Sequence, residues 1–146
     1  MLQQGLHALF AADEGIVAFV GDETTRSDSK DGVFPVTVPK GSVLPALTYA
    51  LIAGHEWDSQ DGRGELGISR VQISGFAADT QTASGYSLAA QLREAAKDAI
   101  VGFKGLLPDG TEVHAAFLML EQDTFESVPK IYQSLFDVEI IHSKAS

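Results

Sequence analysis

The chain of 146 residues contains no cysteine. This absence excludes disulfides, thiolate metal ligands and cysteine nucleophiles, and it fits an intracellular origin. Long apolar runs are also missing, because none approaches the roughly 18–20 residues that a membrane helix needs. The first residues lack the basic and then apolar pattern of a secretory signal. We therefore expect no membrane association and no signal peptide.

Basic residues are scarce: 10 Lys and Arg stand against 20 Asp and Glu, which gives a net charge of −10. This balance opposes binding to phosphate backbones through bulk electrostatics. The excess of acidic residues is most simply explained by solubility. A more specific explanation is a surface that must not bind nucleic acid as it passes. The hydrophobic fraction of 45% and the charged fraction of 21% are ordinary for a globular chain. We expect residues 1–146 to form one domain.

Recognisable catalytic and ligand-binding motifs are missing too. The four histidines, at positions 7, 55, 114 and 142, have no metal-ligand spacing to one another. The densest polar set, His55–Asp58, is interpreted as a solvated loop rather than as a cation site or an acid–base pair. There is no calcium loop, glycine-rich phosphate loop or Gly-x-Ser-x-Gly elbow. The sequence predicts a protein that is not an enzyme, with no catalytic residue, cofactor or metal.

Apolar periodicity indicates both helices and strands. Helical spacing predicts a short helix over residues 2–12, a shorter helix or turn over 16–20, and a main helix from Thr80 or Thr82 to Gly102. Alternating residues predict strands over 47–53, 66–76, 113–120 and 131–142. Leu66 and Ile68 alternate out of step with Val71 and Ile73, so we expect a bulge near residues 67–69.

Two polar stretches, residues 22–32 and 54–65, are predicted to be loops, the first of them mobile. Residues 33–39 are extended, and their two prolines favour a sheet edge or a surface arm. The simplest arrangement of these elements is an α+β fold. In it, one long helix packs across an antiparallel sheet of about four strands, and short helices precede the sheet.

Three aromatic residues stand in or beside polar connections: Phe34, Trp57 and Phe125. An aromatic side chain in a loop commonly packs onto its own domain, and the alternative is that it docks a partner, since aromatics are enriched at interface hot spots. On the second interpretation, the candidate interface residues are Phe34, Val36, Glu56, Trp57, Asp58 and Phe125.

Five segments spread over nearly the whole chain carry a family resemblance. They are Leu6–Asp13 with Val17–Asp22; Val33–Pro35; Leu44–Tyr49; Arg70–Ala77 with the helix Leu88–Ala99; and Tyr132–His142. In residue type, these segments resemble the tail-terminator, or tail-completion, family of long-tailed bacteriophages and phage-derived particles, including gene transfer agents. The polar stretches 22–32 and 54–65 depart from the family pattern.

The resemblance implies an α+β structural subunit that forms a ring, usually a hexamer, on the head-proximal end of a tail tube. Such a ring stops tube polymerisation, contacts the tail tube protein and the head–tail connector (stopper) protein, and lets DNA pass through its lumen without specific binding. It implies a place in a virion or virion-like particle assembled in the host cytoplasm. Two alternatives stay open: another head-completion or adaptor protein, and a small ligand-binding or enzymatic α+β domain with a concave apolar pocket.

Overall fold

The computed structural model describes residues 2–22, 24–28, 30–40, 42–57, 66–80, 84–127 and 130–144, with the backbone alone at 55–57, 126–127, 130 and 144. Three helices lie in these ranges: α1 (Leu2–Ala12), α2 (Glu14–Val20) and α3 (Gly85–Ile100). The strands are β1 (Val33–Pro35), β2 (Ala46–Trp57), β3 (Leu66–Ala77), β4 (Gly105–Leu106), β5 (Thr111–Ser127) and β6 (Lys130–Lys144).

The six strands form one mixed sheet in the order β1-β2-β3-β6-β5-β4. β1 is parallel to β2, and every other neighbouring pair is antiparallel. The helices cover one face, where α3 packs on β3 and β6 and α1 packs on β1 and β2. The core lies between these layers and includes the fully buried side chains of Leu6, Phe10, Ile16, Leu47, Ile73, Leu92, Ile100, Phe136 and Ile140.

The predicted fold class is wrong. The structure has a six-stranded mixed half-barrel sheet with three short helices, not an antiparallel sheet of about four strands under one long helix. The error has a physical cause. β1 and β4 have only three and two residues, too few to show a period, and their pairing with β2 and β5 fixes them as strands.

The start of α3 is later than predicted, at Gly85 instead of Thr80 or Thr82. The helix begins there because the backbone of residue 85 lies against the preceding chain. A Cβ at Gly85 would stand 2.7 Å from the carbonyl carbon of Ala78, and the Gly85 N–H donates to Asp79 Oδ1 at 2.7 Å. Ser84 then caps the helix by accepting from the Ser87 N–H.

The predicted bulge near residues 67–69 is also wrong. β3 pairs with β6 without a break from Leu66 to Ala77, so Leu66 and Ile68 point to the face opposite Val71. The irregularity lies in the neighbouring strand, where β2 shifts register between Leu51 and Ala53. The change of alternation in β3 therefore reflects apolar residues on the less buried face and not a bulge.

The segment 22–32, predicted to be a mobile loop, is anchored in its described part by the buried side chain of Arg26. Its guanidinium donates to the carbonyl oxygens of Val20 at 2.8 Å, Pro45 at 3.0 Å and Val43 at 2.6 Å. Two further hydrogen bonds, at 3.0 and 2.8 Å, grip the carboxylate of Asp28. Arg26 thereby ties the end of α2 to the residues that lead into β2.

We expect Arg26→Ala to lower the free energy of unfolding by roughly 3 kcal/mol or more, because it leaves three carbonyl oxygens and a carboxylate without their donor. Urea unfolding followed by circular dichroism measures the loss. The exposed Lys104→Ala is the control and should change stability by less than about 0.5 kcal/mol. An unchanged midpoint for Arg26→Ala would show that the network contributes nothing.

Asp28 should make stability depend on pH. The hydrogen bonds from Arg26 hold the pKa of the Asp28 carboxyl well below its usual range, with further help from the N–H groups of Val43 and Lys30. A depressed folded-state pKa stabilises the protein above the unfolded pKa of about 4, and the stabilisation is lost as the pH falls below it. The stability difference between wild type and Asp28→Asn should therefore shrink from pH 6 to pH 2.5. Ser27→Ala, which removes no titrating group, should show a constant difference.

Candidate interaction surface

Two predicted interface residues lie at the β1 edge, and the structure treats them differently. Phe34 is buried, with 6% of its surface exposed, and its ring lies 5.8 Å from the guanidinium carbon of Arg26. Val36 is 72% exposed. Its N–H donates to the Tyr49 carbonyl at 2.8 Å, and its φ of 66° is strained for a β-branched residue. Of these two, Val36 alone presents its side chain to a partner.

Two more candidates, Glu56 and Trp57, end β2, where they pair with Gly67 and Leu66. The description covers their backbone, and Asp58 lies outside the described residues. Phe125 stands at the far side of the sheet, on β5. The structure therefore divides the candidate set between two opposite edges instead of gathering it into one surface, and its role in an interface stays a prediction.

Phe125 belongs to a small aromatic cluster near the end of β5 and the start of β6. Its ring centroid is 4.5 Å from that of Tyr132, which is 6.3 Å from that of Tyr86 at the start of α3. Phe125 still exposes 49% of its surface. The cluster joins the strand pair to the helix and leaves one aromatic face open at the β5 edge.

Sequence reasoning missed an exposed apolar run on β5. Phe117, Leu118, Met119 and Leu120 expose 53, 40, 48 and 43% of their surfaces, and we name these four residues the β5 run. A signal was present, because four consecutive apolar residues break the alternation of a strand with one solvated face. A matching exposed stretch on β2, Leu51–Gly54, is named the β2 run; its Leu51 and Ile52 expose 44 and 50%.

Polar contacts hold the distal part of β5 against α3. Lys97 pairs with Glu121, and Arg93 Nη1 donates to Asp123 Oδ1 at 2.9 Å. The Ser134 hydroxyl also donates to Asp123. The hydrogen bond with Glu121 raises the pKa of Lys97. These contacts fix the position of the β5 run relative to the helix.

Three titratable side chains form a hydrogen-bonded row between α1, the segment before β1, and β2. His7 Nδ1 is 2.9 Å from the Tyr49 hydroxyl, and His7 Nε2 is 2.9 Å from Asp31 Oδ2. Burial raises the pKa of Tyr49, and the charge of Asp31 raises it further. A tyrosine kept neutral and 6% exposed does not supply a nucleophile. The chain of contacts instead fastens α1 to β2 and to the segment before β1.

Within the described ranges of the chain, no three His, Asp or Glu side chains come together as a metal site. No helix of the described ranges is both long and apolar enough to cross a membrane. An open groove runs along α3 beside Phe19 and is lined by Tyr86, Gln91, Glu94 and Asp98, among others.

Comparisons with known proteins agree with the fold described above. No protein-family model matches the chain, and a search of curated proteins found no match. Among solved structures, a chain from the virion of a native gene transfer agent particle aligns with a TM-score of 0.66. The alignment covers 97% of this chain and 94% of that chain at 19% sequence identity. The likeness shows a shared fold over nearly the full length of both chains, and the narrower tail-terminator assignment stays a prediction.

Tyr49→Phe should lower the free energy of unfolding by about 1 kcal/mol, because it leaves His7 without its hydroxyl partner in a half-buried site. Tyr86→Phe is the matched control: its tyrosine is 53% exposed, so we expect a change within about 0.5 kcal/mol. Chemical unfolding of both variants measures the difference. Equal stabilities for the two variants would contradict a structural role for the His7 contacts.

Proposed function

We propose that this chain is a structural, non-enzymatic subunit of a phage-type particle. More narrowly, we propose that it forms the ring that caps the head-proximal end of the tail tube, stops tube polymerisation and joins the tail to the head connector. The observation that carries the proposal is the fold shared with a gene transfer agent virion chain over 97% of this chain and 94% of that one. The family resemblance of five sequence segments supplies the narrower role.

The open strand edges support a subunit that neighbours complete. Natural sheets protect their edges with charge, proline, bulges or covering segments, because an exposed edge is a template for pairing. Here the exposed β2 and β5 runs are uncharged and expose apolar side chains, and each contains a register shift, between Leu51 and Ala53 and between Leu118 and Leu120. Such surfaces are expected in a protein that works inside an assembly, with the tail tube protein and the connector protein as its partners.

The charge of the chain suits a ring through which DNA passes. Six copies at −10 each would carry about −60 in total, a surface that repels phosphates. Several of the ten basic residues are moreover occupied within the chain: Arg26 with Asp28, Arg70 with Asp137, Arg93 with Asp123 and Lys97 with Glu121. Pairing of these four cations lowers the positive charge that could hold a duplex, so we expect the lumen to let DNA slide without specific binding.

Deleting the coding sequence from cells that make the particles tests the role. We expect tails of abnormal length or tails that fail to join heads, as seen by electron microscopy, and recovery when the wild-type chain is supplied from a plasmid. Tails of normal length that stay unjoined would favour a different connector, such as a head-completion or adaptor protein. Normal, infectious particles without this chain would refute both roles.

A further inference from the structure

The segment that follows β1 is an exposed apolar arm. Residues 35–40, which we name the β1 arm, comprise two prolines, two valines, a threonine and a lysine. All of them except Val38 are exposed, and Val36 exposes 72% of its surface in a strained left-handed conformation. Strain of this kind is concentrated at functional sites, so the outward position of Val36 indicates a role for its side chain.

Backbone hydrogen bonds fix the arm at both ends. The Val36 N–H donates to the Tyr49 carbonyl at 2.8 Å, and the Ser42 N–H donates to the Pro39 carbonyl at 3.1 Å. The two prolines restrict the backbone further. An arm held in this way loses little conformational entropy when a partner binds it.

The groove along α3 offers an apolar surface of suitable shape. Its apolar lining comes from Phe19 of α2 and from Tyr86, Ala90 and Ala95 of α3. The alanine side chains leave space above the helix, and the Tyr86 hydroxyl donates to Asp123 Oδ2 at 3.3 Å, which holds the ring at one end of the groove. No residue of the β1 arm lines the groove, so within the described ranges the arm does not fill it.

The arm and the groove belong to a known pair of chemical types. Extended segments that contain proline bind in grooves lined by aromatic residues, because a rigid apolar segment packs on the aromatic faces at low entropic cost. Here Tyr86 and Phe19 supply the aromatic faces. Pro35, Val36 and Pro39 supply exposed apolar side chains on the arm.

The charges of the two surfaces are opposite. Lys40 ends the arm, is exposed and forms no ion pair with a described residue. On the rim of the groove, Asp98 is exposed and likewise has no ion pair within the described ranges. Glu94 adds a second carboxylate, 53% exposed, whose contacts with Arg93 and Lys97 are long, at 3.3 and 3.4 Å. A lysine without a partner thus matches an acidic rim.

The lengths of the arm and the groove also agree. From Pro35 to Lys40, the extended chain spans at most about 17 Å. From Tyr86 to Asp98, α3 rises by about 18 Å. An arm that begins at Tyr86 therefore brings the side chain of Lys40 within reach of Asp98.

We propose that the β1 arm of one copy docks in the α3 groove of the next, with Val36 beside Tyr86 and Lys40 beside Asp98. Every copy carries both surfaces, so a second copy is the partner that the chain itself supplies. Because arm and groove differ, the contact is heterologous and repeats from copy to copy instead of ending at a dimer. The inference rests on the proposed ring for its closure, and it names a contact that builds the ring.

The absence of cysteine makes the docking directly testable with two single variants, Val36→Cys and Ser87→Cys. Ser87 is exposed and lines the groove next to Tyr86. The two variants, one with a tag that changes its mass, are produced together in cells that make the particles. On oxidation of the purified mixture and of intact particles, we expect a disulfide-linked pair with one chain of each kind, since a disulfide needs Cα atoms within about 7 Å. Leu106→Cys, 62% exposed on β4, replaces Val36→Cys in the control and should give no such pair.

A charge exchange tests the orientation of the arm. Lys40→Glu, added to the Val36→Cys chain, should lower the yield of the linked pair roughly threefold, the scale of one exposed ion pair. Asp98→Lys in the Ser87→Cys chain should then restore the yield. Lys30→Glu changes an exposed lysine outside the arm and is the matched control, with an unchanged yield expected. Thermal unfolding of each variant checks that folding is unaltered.

Several results would overturn the docking. They are the absence of the linked pair from both the mixture and the particles, an equal yield from the control pair, and a yield that does not respond to Lys40→Glu or is not restored by Asp98→Lys. Attachment of Ser87→Cys to a different particle protein, identified by mass, would assign the groove to that protein instead.

The outcomes also distinguish this inference from the proposed function. If the chain is found in purified particles but the linked pair does not form, the structural role stands and the docking falls. If the linked pair forms in solution but the chain is missing from particles, the docking stands and the role in the particle falls.

Discussion

The buried guanidinium of Arg26 is the contact on which the organisation of the β1–β2 side depends. It binds the last turn of α2, the approach to β2 and the carboxylate of Asp28, and its carbon lies 5.8 Å from the Phe34 ring. These contacts hold the described part of the polar segment 22–32 in place, although its sequence shows no periodicity. Because its carbonyl partners come from both ends of the connection between α2 and β2, Arg26 holds the two ends together, and the backbone pairing of β1 with β2 lies between them.

The β5 side of the sheet is held by different contacts. There α3 reaches across to β5, and the pairs of Lys97 with Glu121 and Arg93 with Asp123 hold the long strand in place. Glu121 and Asp123 of β5 therefore form ion pairs within the chain, whereas the side chains of the β5 run stay exposed. Side-chain contacts thus hold both sides of the sheet, through Arg26 near β1 and through α3 near β5.

The sequence alone predicts the regular elements well where a local period exists. The helix over residues 2–12 is confirmed as α1, and each predicted strand lies within a longer observed one. The prediction fails where backbone pairing or close packing, and not a local period, decides the outcome. The strand character of β1 comes from pairing with β2, the first residue of α3 comes from the approach of Gly85 to Ala78, and the bulge falls on β2 instead of β3. Such pairings leave no local pattern.

The candidate surface shows the same limit. Val36 and Phe125 are exposed as an interface would require, whereas Phe34 is enclosed beneath Arg26. The β5 run was visible as four apolar residues in succession, but its exposure depends on how far β4 extends along β5. Strand composition is local information, and which edge of a strand stays uncovered is a property of the whole sheet.

The left-handed backbone of Val36 determines how much of β2 remains uncovered. With φ at 66°, the chain leaves β2 after the Val36 N–H has bonded the Tyr49 carbonyl, and the Thr37 N–H closes a tight turn onto the Pro35 carbonyl. A conformation of this kind costs about 1–3 kcal/mol in a residue other than glycine, and the packed neighbours that hold Phe34 offset it. One dihedral angle thus ends the pairing of β1 with β2 and leaves the rest of the outer edge of β2 uncovered by β1.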